Sequence, residues 1–165
     1  MSQDDAVLVR DFQEAWWRVA AGSNDRADAV MSALLAATGA RAVGWWRQVG
    51  EQLEQLSFRA VADMPEEVRV GFMAATGRVA MSHIELGCVR AAAELQPVVA
   101  REDAAQRGLT GSATWLARFG ASQSLALPII QDGLSVGVLA IATPDHFEED
   151  SPIWRTMSAI VAGLA

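Results

Sequence analysis

A chain of 165 residues, 52% apolar and 20% charged, is long enough to bury a sizeable core and too apolar for a disordered tail. Its formal charge of −7 excludes a nucleic-acid reader, which needs a basic stripe to neutralise phosphates. All 13 basic residues are arginine, so lysine-based Schiff-base and P-loop chemistry drop out, and the single Cys88 can build neither a disulfide, a CxxC pair nor a zinc site.

The N-terminus, MSQDDAVLVR, is acidic where a signal peptide would be basic, and no apolar run nears the ~18 residues of a membrane span. A cytoplasmic location is therefore expected. From Asp5 to Ala21, Leu8, Phe12, Ala15, Trp16 and Val19 recur at helical spacing, and Gly22-Ser23-Asn24 ends the run. Ser23 or Asn24 is expected to cap a second helix carrying Val30, Met31, Leu34 and Leu35, closed by Gly39. The period then changes. Ala42 to Val49 and Leu56 to Val61 read as strands joined by Gly50-Glu51-Gln52, with Leu56, Phe58 and Ala60 on one face. Asp63-Met64-Pro65-Glu66 predicts a helix start with an aspartate cap, and Val68, Phe72, Met73 and Val79 its inner face.

Between Ser82 and Gly111 the pattern is least regular. It predicts a short helix over Gly87 to Glu94, an edge strand at Pro97-Val98-Val99 and a polar excursion from Arg101 to Gly111. An amphipathic turn around Trp115 leads into a strand ending at Pro128. Asp132-Gly133 turns the chain into a second apolar strand, and Ser151-Pro152 opens a last helix with Ile153, Trp154, Met157, Ile160, Val161 and Leu164 on one side. That helix reaches Ala165 without a cap, so it is expected to continue into a longer protein or dock on a partner.

Three segments carry a resemblance. Gly87 to Val99, with Pro97-Val98 before a short strand, Ser124-Leu125-Ala126-Leu127-Pro128-Ile129, and Gly137-Val138-Leu139 after Asp132-Gly133 resemble, in order and spacing, GAF domains of bacterial sensor histidine kinases. The resemblance implies an α/β (α+β) fold: a mainly antiparallel sheet of five to six strands, N- and C-terminal helices on one face, and shorter helices and loops over the other. It implies one domain over residues 1–165, with N-terminal helices in 1–38, a sheet and pocket-covering region in 40–147 and a C-terminal signalling helix in 151–165. It also implies a non-catalytic input domain that binds a small molecule or forms a homodimer through its terminal helices. Output would pass to an effector, a two-component histidine kinase above all.

Sub-family signatures fail. Trp115-Leu116-Ala117-Arg118-Phe119-Gly120 is similar to a stretch in phytochrome-type GAF domains, but Gly111 and Ser112 stand where those carry a bilin-attaching Cys-His pair, so no covalent bilin is expected. Thr143-Pro144 replaces the Asn-Lys of cyclic-nucleotide binders, and one cysteine is too few for the GAF-type methionine sulfoxide reductases. By family position and side-chain character, the expected pocket residues are Phe58, Met73, His83, Val98, Trp115 and Ser124. His83 could ligate haem, the alternative cofactor reading, although a surface histidine is the commoner role. A dimerisation module without ligand is the other alternative. His146 is expected in a solvated acidic loop, and Cys88 as a small buried hydrophobe. Ser112 and Ser124 lack a His-Asp partnership, and no acidic pair is placed for acid–base work.

Overall fold

The computed structural model describes residues 2–102 and 108–165. Two helices open the chain, α1 (Gln3–Ala20) and α2 (Ala27–Thr38). A capping box starts α1: Ser2 Oγ accepts from Asp5 N, and Asp5 returns a carboxylate oxygen to Ser2 N. The stripe of Leu8, Phe12, Ala15 and Val19 is buried as its spacing requires, and Gly39 ends α2. Ser23 and Asn24 do not cap α2, whose N-cap position is Arg26. Ser23 Oγ instead accepts from Asp25 N at 3.4 Å, inside the intervening turn.

Then follow β1 (Ala42–Val49), β2 (Gln52–Ala60), α3 (Glu66–Thr76), β3 (Arg78–Ala80), α4 (Gly87–Glu94), β4 (Val98–Arg101), α5 (Thr110–Phe119), β5 (Gln123–Gln131), β6 (Leu134–Thr143) and α6 (Pro152–Gly163). The strands form one six-stranded sheet in the order β3-β2-β1-β6-β5-β4, antiparallel throughout. Asp132 and Gly133 both take positive φ (53° and 76°), the geometry that lets a two-residue turn follow the twist of β5 and β6. On one face lie α1, α2 and α6, burying Phe12, Met31, Leu34, Met157 and Ile160 against Trp45, Leu125, Leu139 and Ile141. On the other lie α3, α4 and α5, with Phe72, Val89, Leu116 and Phe119 against Trp46, Phe58, Ala126 and Val138. This is the α+β arrangement the sequence predicts, with two cores sharing one sheet.

Local departures have physical causes. The β1–β2 turn needs only Gly50 and Glu51, so β2 begins at Gln52. A bulge follows: Trp45 pairs with Ser57 and Trp46 with Gln55, which leaves Leu56 as the extra residue. Leu56 therefore joins the helix-side core, opposite Phe58, instead of sharing its face. Asp63 does not cap α3; its Oδ1 accepts from Arg41 Nη1 at 2.9 Å. Val79 leaves the helix for the short β3, and Met73 turns outward at 37% exposure. The segment around Trp115 is a full helix. Pro128 does not end β5, because β4 pairs with β5 only from Gln123 to Ala126 and no neighbour there requires its missing N–H. The polar excursion expected after Arg101 falls partly on residues 103–107, outside the described residues.

Candidate functional site

A cavity lies between the sheet and the helices α3, α4 and α5. Strand register builds its floor. Ala42 of β1 faces Ala142 of β6, which faces Ser124 of β5; one step along, Gly44 faces Ala140, which faces Ala126. Six adjacent positions on three strands thus carry nothing larger than a hydroxymethyl group, and all six line the cavity. Side chains at such register points sit about 5 Å apart, so the floor is a flat tile and not a scattered set of alanines.

Aromatic rings close the space above it. Phe72 of α3 is their hub, with ring centroids 4.8 Å from Phe58, 5.0 Å from Phe119, 5.2 Å from Trp115 and 6.3 Å from Trp46. Trp46 Nε1 donates to Thr76 O at 2.8 Å, which pins the indole under the end of α3. The ring lies across Gly44 of its own strand, where any Cβ would overlap it. Arg41 holds the far end of α5 by donating from Nε to Phe119 O at 3.0 Å, and Arg118 covers the outer side of Trp115, 4.7 Å from its ring centroid. The cavity volume is about 60 Å³. Roughly 10–15 Å³ suffices for one water, so the interior alone holds a few.

Among the described residues the lining carries no formal charge, and its small polar side chains are Ser112, Ser124 and Cys88. Ser112 Oγ accepts from Gly87 N at 2.7 Å, tying the start of α5 to the start of α4. Burial pushes the Cys88 thiol up to about 12, against the opposing pull of the Val89 and Cys88 backbone amides on its sulfur. The group is a neutral thiol at physiological pH. Arg90 does not alter this, since its Nε donates to Ile84 O.

Of the six residues expected at a pocket, Phe58, Trp115 and Ser124 line this cavity. Val98 is buried in the same core and pairs with Ala126, one strand beyond the floor. Met73 lies on the outer side of α3, 3.6 Å from Arg69 Nη1. His83 is exposed, its Nδ1 3.6 Å from Glu85 Oε1. His146 is exposed in the loop before α6. Sequence reasoning missed the floor and the aromatic hub Phe72. The available signal was small residues at alternate positions in three strands, Ala42/Gly44, Ser124/Ala126 and Ala140/Ala142. Among the described residues no group of three or more His, Cys, Asp or Glu could hold a metal, and no helix is long and apolar enough to cross a membrane.

Solved structures share this architecture. The phycoerythrobilin-bound GAF domain of a cyanobacterial phytochrome superposes with a TM-score of 0.67 at 12% identity, covering 99% of this chain and 94% of that one. The GAF domain of A. aeolicus nlh2 in an inactive state gives 0.61 at 16% identity, covering 97% and 91%. A type II free methionine-R-sulfoxide reductase from Thermoplasma acidophilum gives 0.57 at 14% identity, covering 84% and 86%. At such identities the likeness is one of fold. A search of curated proteins finds no match. The family model described as "GAF domain" matches residues 24–162, which hold all six strands and every helix but α1, and the chain belongs to the GAF domain family.

Proposed function

We infer that this chain is a non-catalytic, cytoplasmic input domain that takes a small molecule into the cavity and reports its presence through α1 and α6 to a signalling effector, a two-component histidine kinase being the leading class. Homodimerisation through the outer stripes of α1 and α6 would carry that output. The observation that supports the reading is the division of β1. Trp46 enters the cavity wall against Phe72, while its neighbour Trp45 stacks on Trp16 of α1 (5.7 Å between ring centroids) and meets Phe12 edge-on at 5.0 Å. A ligand that displaces Trp46 acts on the same short stretch of backbone that positions Trp45 against α1. It would bias the terminal helices by its differential affinity for their two arrangements.

The non-catalytic reading rests on the neutral Cys88, alone in the sequence, which lacks both the thiolate and the resolving partner that thiol chemistry needs. Against covalent bilin stands Gly111: a Cβ there would come within 2.8 Å of Glu85 Cγ and 3.1 Å of Glu85 O, so a cysteine would fit only if Glu85 shifts.

The test is metabolite capture by native mass spectrometry, run beside an Ala126→Leu variant that fills the floor, with oligomeric state and the output of the linked effector measured on both. A species retained by the wild type and lost from the variant, with altered output, is the expected result. A dimer that captures nothing and signals equally in both forms would reduce the domain to a dimerisation module. A Soret band in the purified protein, lost in His83→Ala, would replace this reading with the haem one.

A further inference from the structure

The chemistry of the cavity limits what it can take. We propose that its ligand is a small, neutral, flat molecule of a single ring, laid on the small-residue floor with at most one or two hydrogen-bond acceptors; this rests on the cavity being the sensory site.

Charge is the first limit. Among the described residues no arginine or carboxylate reaches the lining, so an anionic or cationic ligand would be desolvated there without a partner. The start of α4 faces the cavity, and such a terminus ordinarily offers amides to an anion. Here the first of those amides is taken, since Gly87 N donates to Ser112 Oγ. Phosphate esters and carboxylates therefore find no countercharge among the described lining residues.

Shape is the second limit. Opposite the tile of Ala42, Gly44, Ser124, Ala126, Ala140 and Ala142 stand aromatic rings, which leaves a slot and not a sphere. An apolar cavity of roughly 150 Å³ takes up benzene, and the space here is about 60 Å³, so one ring is admitted only as the facing aromatic rings part. One ring can then lie flat on the floor; a tetrapyrrole cannot be enclosed. Polarity is the third. The Ser112 hydroxyl, already accepting from Gly87 N, keeps its proton to donate, and Ser124 Oγ meets no protein partner among the described residues. These are two neutral donors suited to a carbonyl, ether or hydroxyl oxygen.

The experiment compares benzyl alcohol with benzoate and phenyl phosphate, three molecules with one ring and different charge. Each is titrated into the ¹⁵N-labelled domain while the indole N–H resonances are followed, Trp46 and Trp115 reporting the cavity and the exposed Trp17 serving as control. Benzyl alcohol should shift Trp46 and Trp115 saturably and leave Trp17 in place, with benzoate and phenyl phosphate at least tenfold weaker. Ala126→Leu should weaken benzyl alcohol by at least tenfold, and Ala140→Val provides the same test should the first variant fold poorly. If benzoate or phenyl phosphate moves Trp46 at equal or lower concentration, the proposed ligand class is overturned while the cavity remains the site. If none of the three moves Trp46 or Trp115, the proposal fails. If, in addition, the filled variants signal as the wild type does, the sensory reading of the cavity falls with it.

Discussion

Thr156 donates its hydroxyl proton to Asp5 Oδ1 across 2.8 Å, joining the second turn of α6 to the first turn of α1. The two residues lie 151 positions apart, and the same carboxylate completes the capping box with Ser2. The Thr156 bond, ahead of the opposing effect of partial burial and the smaller help from Ser2, holds the Asp5 carboxyl below its ordinary 3.8. A depressed carboxylate stabilises the fold above its unfolded pKa, and that contribution disappears as pH falls through the folded one. Thr156→Val should therefore cost about 1 kcal/mol at neutral pH. Denaturant titrations of both proteins should begin to converge as pH drops below about 4 and meet only below the lowered folded pKa of Asp5, where it is protonated in both the folded and unfolded chains. A gap that stays constant down to pH 2 would show that the bond does not carry this dependence.

Alkaline pH should expose Cys88. Its folded pKa near 12 stands above the ordinary 9.0, so the stabilisation is complete below about pH 9 and is lost as pH rises toward 12. The chain has no tyrosine and no lysine, so hardly any other group titrates in that window. Stability should fall by up to about 1.4 kcal/mol per pH unit above pH 9, and Cys88→Ala should flatten the profile. Denaturant midpoints between pH 8 and 11 decide it, and a slope that persists in the variant would assign the loss elsewhere.

Trp46→Phe should destabilise more than Trp45→Phe, although both shorten a fully buried indole. The first leaves Thr76 O without the Trp46 N–H, at a cost of about 1–3 kcal/mol for an orphaned buried acceptor. In the second, Nε1 is buried without any partner, so its removal relieves a desolvated donor. Equal losses in chemical denaturation would contradict this ordering.

Gly44→Ala places a methyl group into the Trp46 ring. Overpacking of that kind costs about 1–3 kcal/mol, and here it should also shift the Trp46 indole resonance while leaving Trp17 unmoved. A variant as stable as the wild type, with its Trp46 signal in place, would mean that the ring does not rest on Gly44 in solution.

Much of the fold was legible because period and burial agree. The stripe of α1, the opposite facing of Trp45 and Trp46 and the Asp132-Gly133 turn all follow from spacing, and α4 runs from Gly87 to Glu94 as predicted. What escaped depended on neighbours. Leu56 changes face because the register with β1 slips by one residue, and Pro128 is tolerated because β4 stops short of it; neither fact is written in β2 or β5 alone. Asp63 satisfies every local rule for a cap and is drawn instead to Arg41. At the site, Phe58, Trp115 and Ser124 were found by family position. The floor was not, because an alanine shows no preference until three strands are aligned and its smallness becomes a surface. His83 and Met73 occupy the expected neighbourhood, but chain direction at the end of α3 and after β3 turns both side chains outward.

The Trp45-Trp46 pair also guards the pairing of β1 against error. If that strand slid by one residue, Trp46 would turn toward α1 and lose Thr76 O as its acceptor, while Gly44 would vacate the tile and leave a hole in the core behind it. Trp45 would meanwhile arrive where only a methyl-sized group fits. Two adjacent indoles of equal bulk but unequal hydrogen bonding thus act as a key cut for a single alignment, and the strand that separates the two cores proofreads its own place between them.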